Sequence, residues 1–380
     1  MRIGIFGGSF DPVHKEHMNF ACAAIESLQL DKLIVMPAHI PPHKPGRTLS
    51  SDLDRLEMCR LAFSNVPKAE ISDYEISKGG TSYTYLTCAY FKERFPHADV
   101  FFLVGTDMLR DFPTWKEPQK ILENATLAVC GRAETGSWWE EEQRAFIAKF
   151  GKPFTRVEYN GAQVSSTEIR VLAGAGMRLT EFLEEEVAAY IQEKSLYKIE
   201  NAKEALSLEK PERQAHSVRV AKLAAARALS LRIPERKAIQ AALFHDCGKH
   251  ICLDNPLLKD FVFPSEGDIP PSVRHQYVGA FLTEHVFGVE DAEVLDAIRY
   301  HTSGRPNMGE LEKLIFLADM LEEERRYEGV DLLRSLFWKG ENLDECLEEA
   351  LFQTLEFLKE KKADIYPLTK QAYEFYKNRR

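Results

Sequence analysis

The stretch Met1–Phe20, MRIGIFGGSFDPVHKEHMNF, decides the fold of the first half of this chain. Residues 2–6 form a short apolar, β-prone run, the pattern of a buried strand. Gly7 and Gly8 break it, Ser9 to Pro12 make a turn, and His14 and His17 follow three residues apart. An amphipathic helix over Met18–Leu28 is then expected. Strand, glycine turn, polar loop and helix in that order make a phosphate cradle. The bare backbone N–H groups and the positive end of the helix both face the bend. Two residues three apart share one helix face, so both imidazoles can reach the same phosphate chain.

Working outward, Lys32–Met36 (KLIVM) reads as a second strand, followed by the proline-rich loop PAHIPPHKPG. A helix over Leu53–Phe63 and a strand over Ala69–Ile76 come next, and the loop KGGTSYTY opens a helix over Tyr83–Phe95. Val100–Val104 (VFFLV) is a strand running into Gly105, Thr106 and Asp107, and Thr126–Cys130 is another. This rhythm predicts an α/β domain with a doubly wound, Rossmann-like parallel sheet. Ligands of such sheets sit at the carboxyl ends of the strands. His14, His17, Lys44, Tyr83, Asp107 and Trp115 all lie just past a strand end or in the loop after one, and are expected to converge. The segment QVSSTEIR at 163–170 reads as a capping box at a helix N-terminus. Its hydroxyls, followed by Arg170 one turn in, equally suit a polyphosphate.

At 380 residues the chain is long enough for two domains with separate cores. Its apolar and charged fractions, 44% and 28%, are ordinary for a globular protein. A net charge of -10 argues against a nucleic-acid partner or an anionic membrane surface. Seven cysteines, odd in number and without a CxxC pair, fit a reducing compartment. No apolar run approaches the roughly 20 residues of a membrane span. The N-terminus enters a strand without a leader pattern, so the expected location is cytoplasmic.

The polar stretch 198–213 marks a change of composition. The expected division is a first domain at 1–197, a linker at 198–204 and a second domain at 205–380. Beyond it strand signals nearly vanish. Helices are expected over Gln214–Leu229, Ile233–Lys249, Val273–Val286, Val289–His301, Leu311–Arg325 and Leu343–Lys362, an all-α domain. His216, His245, Asp246, His275, His301 and Asp319 fall in these patterns. Asp246 and Asp319 sit in largely apolar stretches, AALFHDCGKHI and LEKLIFLADML, where a carboxylate needs a partner or a metal. Mixed imidazole and carboxylate donors without thiolate suit Fe, Mn or a similar divalent ion better than structural zinc.

The ordered set GGSFDPVHKEH, PPHK, GTSYTY, GTD, PTWKEP, VSSTEIR and VAAYIQEKSLY resembles bacterial nicotinate-mononucleotide adenylyltransferase, an HxGH nucleotidyltransferase, over about residues 1–197. The resemblance implies Mg²⁺-dependent joining of ATP to nicotinate mononucleotide, giving deamido-NAD and pyrophosphate. It implies ATP contacts from Gly7, Gly8, Ser9, Phe10, His14, His17, Ser165, Ser166, Thr167 and Arg170, with His14, His17 and Arg170 catalytic. Lys44, Ser82, Tyr83, Thr84, Asp107 and Trp115 would hold the nicotinate nucleotide, Trp115 stacking on the pyridine ring. Glu16 stands where the family has glycine, and its side chain is expected to turn outward.

In the second half the order H…HD…D resembles the HD phosphohydrolases. HSVRVA, LFHDCGK, RHQYVGA, YHTSGRPNM, LEKLIFLADMLEEER and YPLTKQAYEF are similar to the bacterial symmetrical diadenosine-tetraphosphate hydrolases over about residues 205–376. That resemblance implies iron bound by His216, His245, Asp246 and Asp319, with Asp246 catalytic. His275 and His301 would hold a second metal or a phosphate, and Lys249, Thr302 and Arg305 would contact nucleotide phosphates. A mononucleotide or guanosine tetraphosphate as substrate, or a non-catalytic nucleotide sensor, are the competing readings. Assembly into a homo-oligomer is compatible with the sequence.

Overall fold

The computed structural model describes residues 1–42, 48–131, 137–159, 161–162, 164–264 and 269–378. The chain divides into two compact units, Met1–Ile169 with Leu179–Leu196, and Arg170–Arg178 with Tyr197–Arg380. The stretch 198–204, expected as a linker, includes the start of a helix, Ala202–Ser207, in which Ala202, Ala205 and Leu206 are buried.

The first unit is built on six parallel strands: β1 (Arg2–Gly8), β2 (Lys32–Pro37), β3 (Ala69–Ile71), β4 (Asp99–Gly105), β5 (Thr126–Gly131) and β6 (Thr155–Glu158). Their order is β3-β2-β1-β4-β5-β6, so the strand order reverses between β1 and β4. The inner strands are unbroken apolar runs because helices cover both faces of the sheet. Ile3, Ile5, Ile34, Phe102 and Val129 pack in one core with Phe91, Phe112 and Phe146.

Two local expectations need correction here. The strand expected over Ala69–Ile76 ends at Ile71, and Tyr74–Lys78 is a helical turn. β3 is an edge strand with β2 as its partner, and Glu75 instead turns inward to accept a bond from Thr87 Oγ1 at 2.5 Å. Helix Trp138–Phe150 and β6 were not foreseen; Trp139, Phe146 and Phe150 fix that helix to the core.

The second unit is helical. Pro211–Ala228, Glu235–Phe244, Pro271–His285, Ala292–Arg299 and Glu310–Leu321 pack against one another, and Asp344–Glu360 joins Glu310–Leu321. Three helices are shorter than their apolar patterns suggest. Glu235–Phe244 stops before His245, and residues 245–250 form a turn in which the Lys249 N–H donates to the Asp246 carbonyl at 2.9 Å. Ala292–Arg299 stops two residues before His301, and Glu310–Leu321 ends where Glu322 adopts extended backbone. Helices Val330–Trp338 and Pro367–Lys377 were not foreseen. Among the described residues no helix is long and apolar enough to cross a membrane.

Candidate active sites

In the first unit a cavity of about 790 Å³ opens at the carboxyl ends of β1, β4 and β5, at the point where the strand order reverses. Of the expected ATP residues, Gly7, Gly8, Ser9, His14, His17, Ser165 and Ser166 line it; of the expected nicotinate-nucleotide residues, Ser82, Thr84, Asp107 and Trp115 do. Helix Lys15–Ser27 begins at His14, and the two imidazole centroids lie 3.7 Å apart. The His14 backbone N–H donates to Nδ1 of His17 at 3.2 Å. Burial pushes His14 down to about 4, against the opposing Glu16 carboxylate, so its ring is neutral near pH 7. Its Nδ1 is buried without a hydrogen-bond partner in the described structure. Ser165 caps helix Ser166–Gly174, its Oγ accepting from the Glu168 N–H at 3.1 Å, while Ser166 Oγ donates to the Pro12 carbonyl at 2.9 Å.

Several expected residues sit elsewhere. Phe10 is buried, with left-handed backbone (φ 47°), and packs edge-on against Phe6 and His17, so it supports the His17 ring from behind. Thr167 and Tyr83 are not among the lining residues; Tyr83 carries the Lys116 ammonium over its ring at 4.2 Å. Trp115 reaches the cavity but is 6% exposed and set edge-on to Phe102, which makes it as much core as wall. Lys44 lies outside the described residues. Arg170 is the main correction. It belongs to the second unit, is buried, and grips Glu235 with both arms of its guanidinium, at 2.6 and 2.9 Å. A buried guanidinium requires such a partner.

Glu16 does not turn outward. It lines the cavity, its carboxylate accepts a hydrogen bond from the Tyr159 hydroxyl, and Asn19 Nδ2 donates to its other oxygen at 3.1 Å. The loop beyond β6 closes on this pair so tightly that a Cβ at Gly161 would lie 2.2 Å from Glu16 Oε2.

In the second unit six side chains converge. Ligand atoms of His216, His245 and Asp246 lie within 4.8 Å of one another, as do those of His245, His301 and Asp319, and those of Asp246, His275 and His301. The four residues expected to hold metal are therefore joined through His245, and His275 and His301 complete one continuous nest. The turn carrying Asp246 meets helix Pro271–His285 closely enough that a Cβ on Gly248 would stand 2.6 Å from the His275 carbonyl oxygen. That close crossing, open only to glycine, sets Asp246 beside His275.

The donors are prepared for a cation. Nδ1–H of His245 donates to the Ala242 carbonyl at 2.7 Å and Nδ1–H of His301 to Ile298 at 2.8 Å, which leaves each Nε2 lone pair facing the nest. Among the described residues, His245 Nε2 and both Asp246 oxygens are buried without a hydrogen-bond partner, although Asp246 has cations beside it. Burial pushes His245 down to about 4 and His275 to about 2, so both rings are neutral at pH 7. Burial raises the Asp246 carboxyl, but His245, His301 and Lys249 outweigh it and hold the group well below the usual carboxylate range. Neutral imidazoles with ionised carboxylates fit a divalent ion.

Around the nest, Thr302 Oγ1 and Lys249 Nζ each stand 3.0 Å from His275 Nε2. Arg305 is less available, with Glu312 holding it at 2.7 Å through two nitrogens and Asp296 at 3.0 Å. The sequence reading missed four further residues. Arg213 stands 3.1 Å from Asp246, and Arg325 stands 2.6 Å from Asp319. Glu322 faces His216 at 3.2 Å, and the buried Glu209 accepts a bond from Ser217 at 2.9 Å. Arg213 could have been found from its spacing, one turn before His216 on the same helix.

A family model described as cytidylyltransferase-like matches residues 5–172, and an HD domain model matches residues 213–324. A Mycoplasma genitalium protein named probable nicotinate-nucleotide adenylyltransferase/Ap4A hydrolase is 29% identical over 333 residues, covering 86% of this chain and 89% of its own. A Thermotoga sp. (strain RQ2) protein named probable nicotinate-nucleotide adenylyltransferase is 39% identical over 191 residues, 50% of this chain and 95% of that one. A Clostridium acetobutylicum crystal structure titled as a predicted HD superfamily hydrolase involved in NAD metabolism covers 47% of this chain and 96% of its own, with 29% identity and a TM-score of 0.42.

Proposed function

Because the chain belongs through its first half to the nicotinate-nucleotide adenylyltransferases and carries an HD domain in its second, we propose that it is a bifunctional nucleotide enzyme. In the first unit ATP and nicotinate mononucleotide react to give deamido-NAD and pyrophosphate, with Mg²⁺ as the phosphates' counterion. A phosphate oxygen of the mononucleotide attacks the α-phosphorus and pyrophosphate leaves, so no covalent enzyme intermediate is needed. With Nδ1 of His17 accepting from the backbone, its ring proton sits on Nε2, available to donate to the phosphate chain. Glycine and serine groups at the ends of β1 and of helix Ser166–Gly174 hold the remaining oxygens.

The second unit is read as a metal-dependent phosphohydrolase that splits diadenosine tetraphosphate symmetrically into two ADP. His216, His245, Asp246 and Asp319 would hold a divalent ion, iron or manganese by donor type, with His275 and His301 beside it. Such an ion polarises a phosphoryl oxygen and acidifies water. The observation that carries hydrolysis over a sensor role is the nest itself, in which the buried Asp246 oxygens and His245 Nε2 have no hydrogen-bond partner among the described residues. Chromatography of the products from diadenosine tetraphosphate with Mn²⁺ or Fe²⁺ tests it. ADP as sole product is expected. AMP with ATP, or turnover of guanosine tetraphosphate alone, would reject the reading.

A further inference from the structure

We propose that Glu16 recognises the ribose of ATP, its carboxylate accepting hydrogen bonds from the adjacent 2′- and 3′-hydroxyls. The inference rests on reading the first unit as an adenylyltransferase and names a specificity-determining residue for that reaction. The sheet order gives the cavity two ends. Ser82, one of the residues expected at the nicotinate nucleotide, accepts from the His39 backbone N–H at 2.9 Å, just beyond β2. Tyr159 stands just beyond β6, on the other side of the sheet, its backbone N–H donating to the Gly131 carbonyl at 3.1 Å. His14 and His17 lie between them, past the end of β1. With phosphates over the two histidines and the nicotinate nucleotide at Ser82, the nucleoside of ATP falls to the Tyr159 end.

Glu16 lines that end together with Phe20, Gly131, Gly161, Ala162 and Val164, none of which carries a charge. It sits in the first turn of helix Lys15–Ser27, next in sequence to His17. A carboxylate so close to a polyphosphate is repelled by it, and what suits it is a neutral group that donates. The ribose diol is such a group, with two adjacent O–H donors for two carboxylate oxygens. Acidic residues of dinucleotide-binding sheets hold a ribose hydroxyl in the same way. The carboxylate has the capacity for it. The Tyr159 hydroxyl donates to Oε2 and Asn19 Nδ2 to Oε1, while each oxygen can accept two bonds. These two donors also fix the carboxylate's orientation, and the Tyr159 ring is itself set edge-on to Phe20 at 6.0 Å. The glycine expected at this position by resemblance offers no side-chain acceptor, so the contact belongs to this chain's own residue.

The test compares ATP with 2′-deoxy-ATP and 3′-deoxy-ATP as partners of nicotinate mononucleotide, using the full chain and following dinucleotide formation. Wild-type protein should favour ATP over each analogue at least ~10-fold in kcat/KM, because a site built to bond a hydroxyl rejects the analogue lacking it. Glu16→Gly should largely abolish both preferences, chiefly by lowering kcat/KM for ATP. Glu16→Gln, which keeps the shape and one acceptor oxygen, should retain part of them. Tyr159→Phe should weaken them, since it frees the carboxylate to turn. Preferences unchanged in whichever of the two Glu16 variants folds would overturn the inference, because a purely structural contact alters turnover of all three nucleotides alike. A glycine variant that uses all three faster would also overturn it, making Glu16 an obstruction. Equilibrium binding of the same nucleotides separates the contact from the reaction, and the HD centre is identical in every variant. If wild-type protein forms no deamido-NAD yet prefers ATP to 2′-deoxy-ATP in a Glu16-dependent way, the ribose contact stands and the adenylyltransferase reading falls.

Discussion

The backbone N–H of His14 donates to Nδ1 of His17 at 3.2 Å, fixing which His17 nitrogen carries the proton. His17→Ala should therefore lower deamido-NAD formation by at least ~10²-fold while leaving the unfolding midpoint nearly unchanged. The readout is initial rate against ATP and nicotinate mononucleotide. Wild-type-like turnover would remove His17 from the ATP site.

Asp246→Ala should abolish phosphohydrolysis and deplete bound iron or manganese, with adenylyl transfer largely intact. The carboxylate is shared by two of the three ligand groups of the nest, so its loss disrupts both. Metal analysis beside the two activity assays checks this. A variant that keeps its metal and still cleaves diadenosine tetraphosphate contradicts the assignment.

Glu209 should make the protein lose stability as pH rises. Burial pushes its carboxyl up to about 8 from 4.5, with Ser217 opposing and Asp246 adding to the rise. Between those values the folded chain holds a proton that the unfolded chain has released, so stability falls with increasing pH until about pH 8 and is level above it. A shift of this size corresponds to about 5 kcal/mol. Glu209→Gln should flatten the dependence, melting higher than wild type at pH 9 and close to it at pH 5. Parallel melting curves across that range would show that Glu209 titrates normally.

Glu16 and Tyr159 should be energetically coupled. A charge-assisted hydrogen bond in a half-buried wall contributes about 1.5–3 kcal/mol. In a double-mutant cycle of Glu16→Gly and Tyr159→Phe, urea unfolding should give a coupling energy of at least ~1 kcal/mol. Additive losses would mean that the contact carries no stability.

Much of the fold was legible because its signals are local. The strand–glycine–histidine order at Met1–Phe20 and the apolar runs of β1, β2, β4 and β5 each announce themselves within a few residues. The same holds for His216, His245, Asp246, His275, His301 and Asp319, since a histidine or carboxylate in an apolar helix pattern is conspicuous wherever it lies. What tertiary structure decided is the choice of partner. QVSSTEIR reads as a phosphate-binding cap, yet Arg170 pairs with Glu235, 65 residues away, because a guanidinium buried at that spot takes the carboxylate that the fold delivers. Glu16 reads as an outward-facing intruder until Tyr159, 143 residues on, bonds it. Arg213 and Arg325 were not singled out in the sequence, and the convergence of helices sets them against Asp246 and Asp319. Periodicity in a sequence says which face of an element is buried. Which residue meets it there depends on long-range packing, which no local pattern encodes.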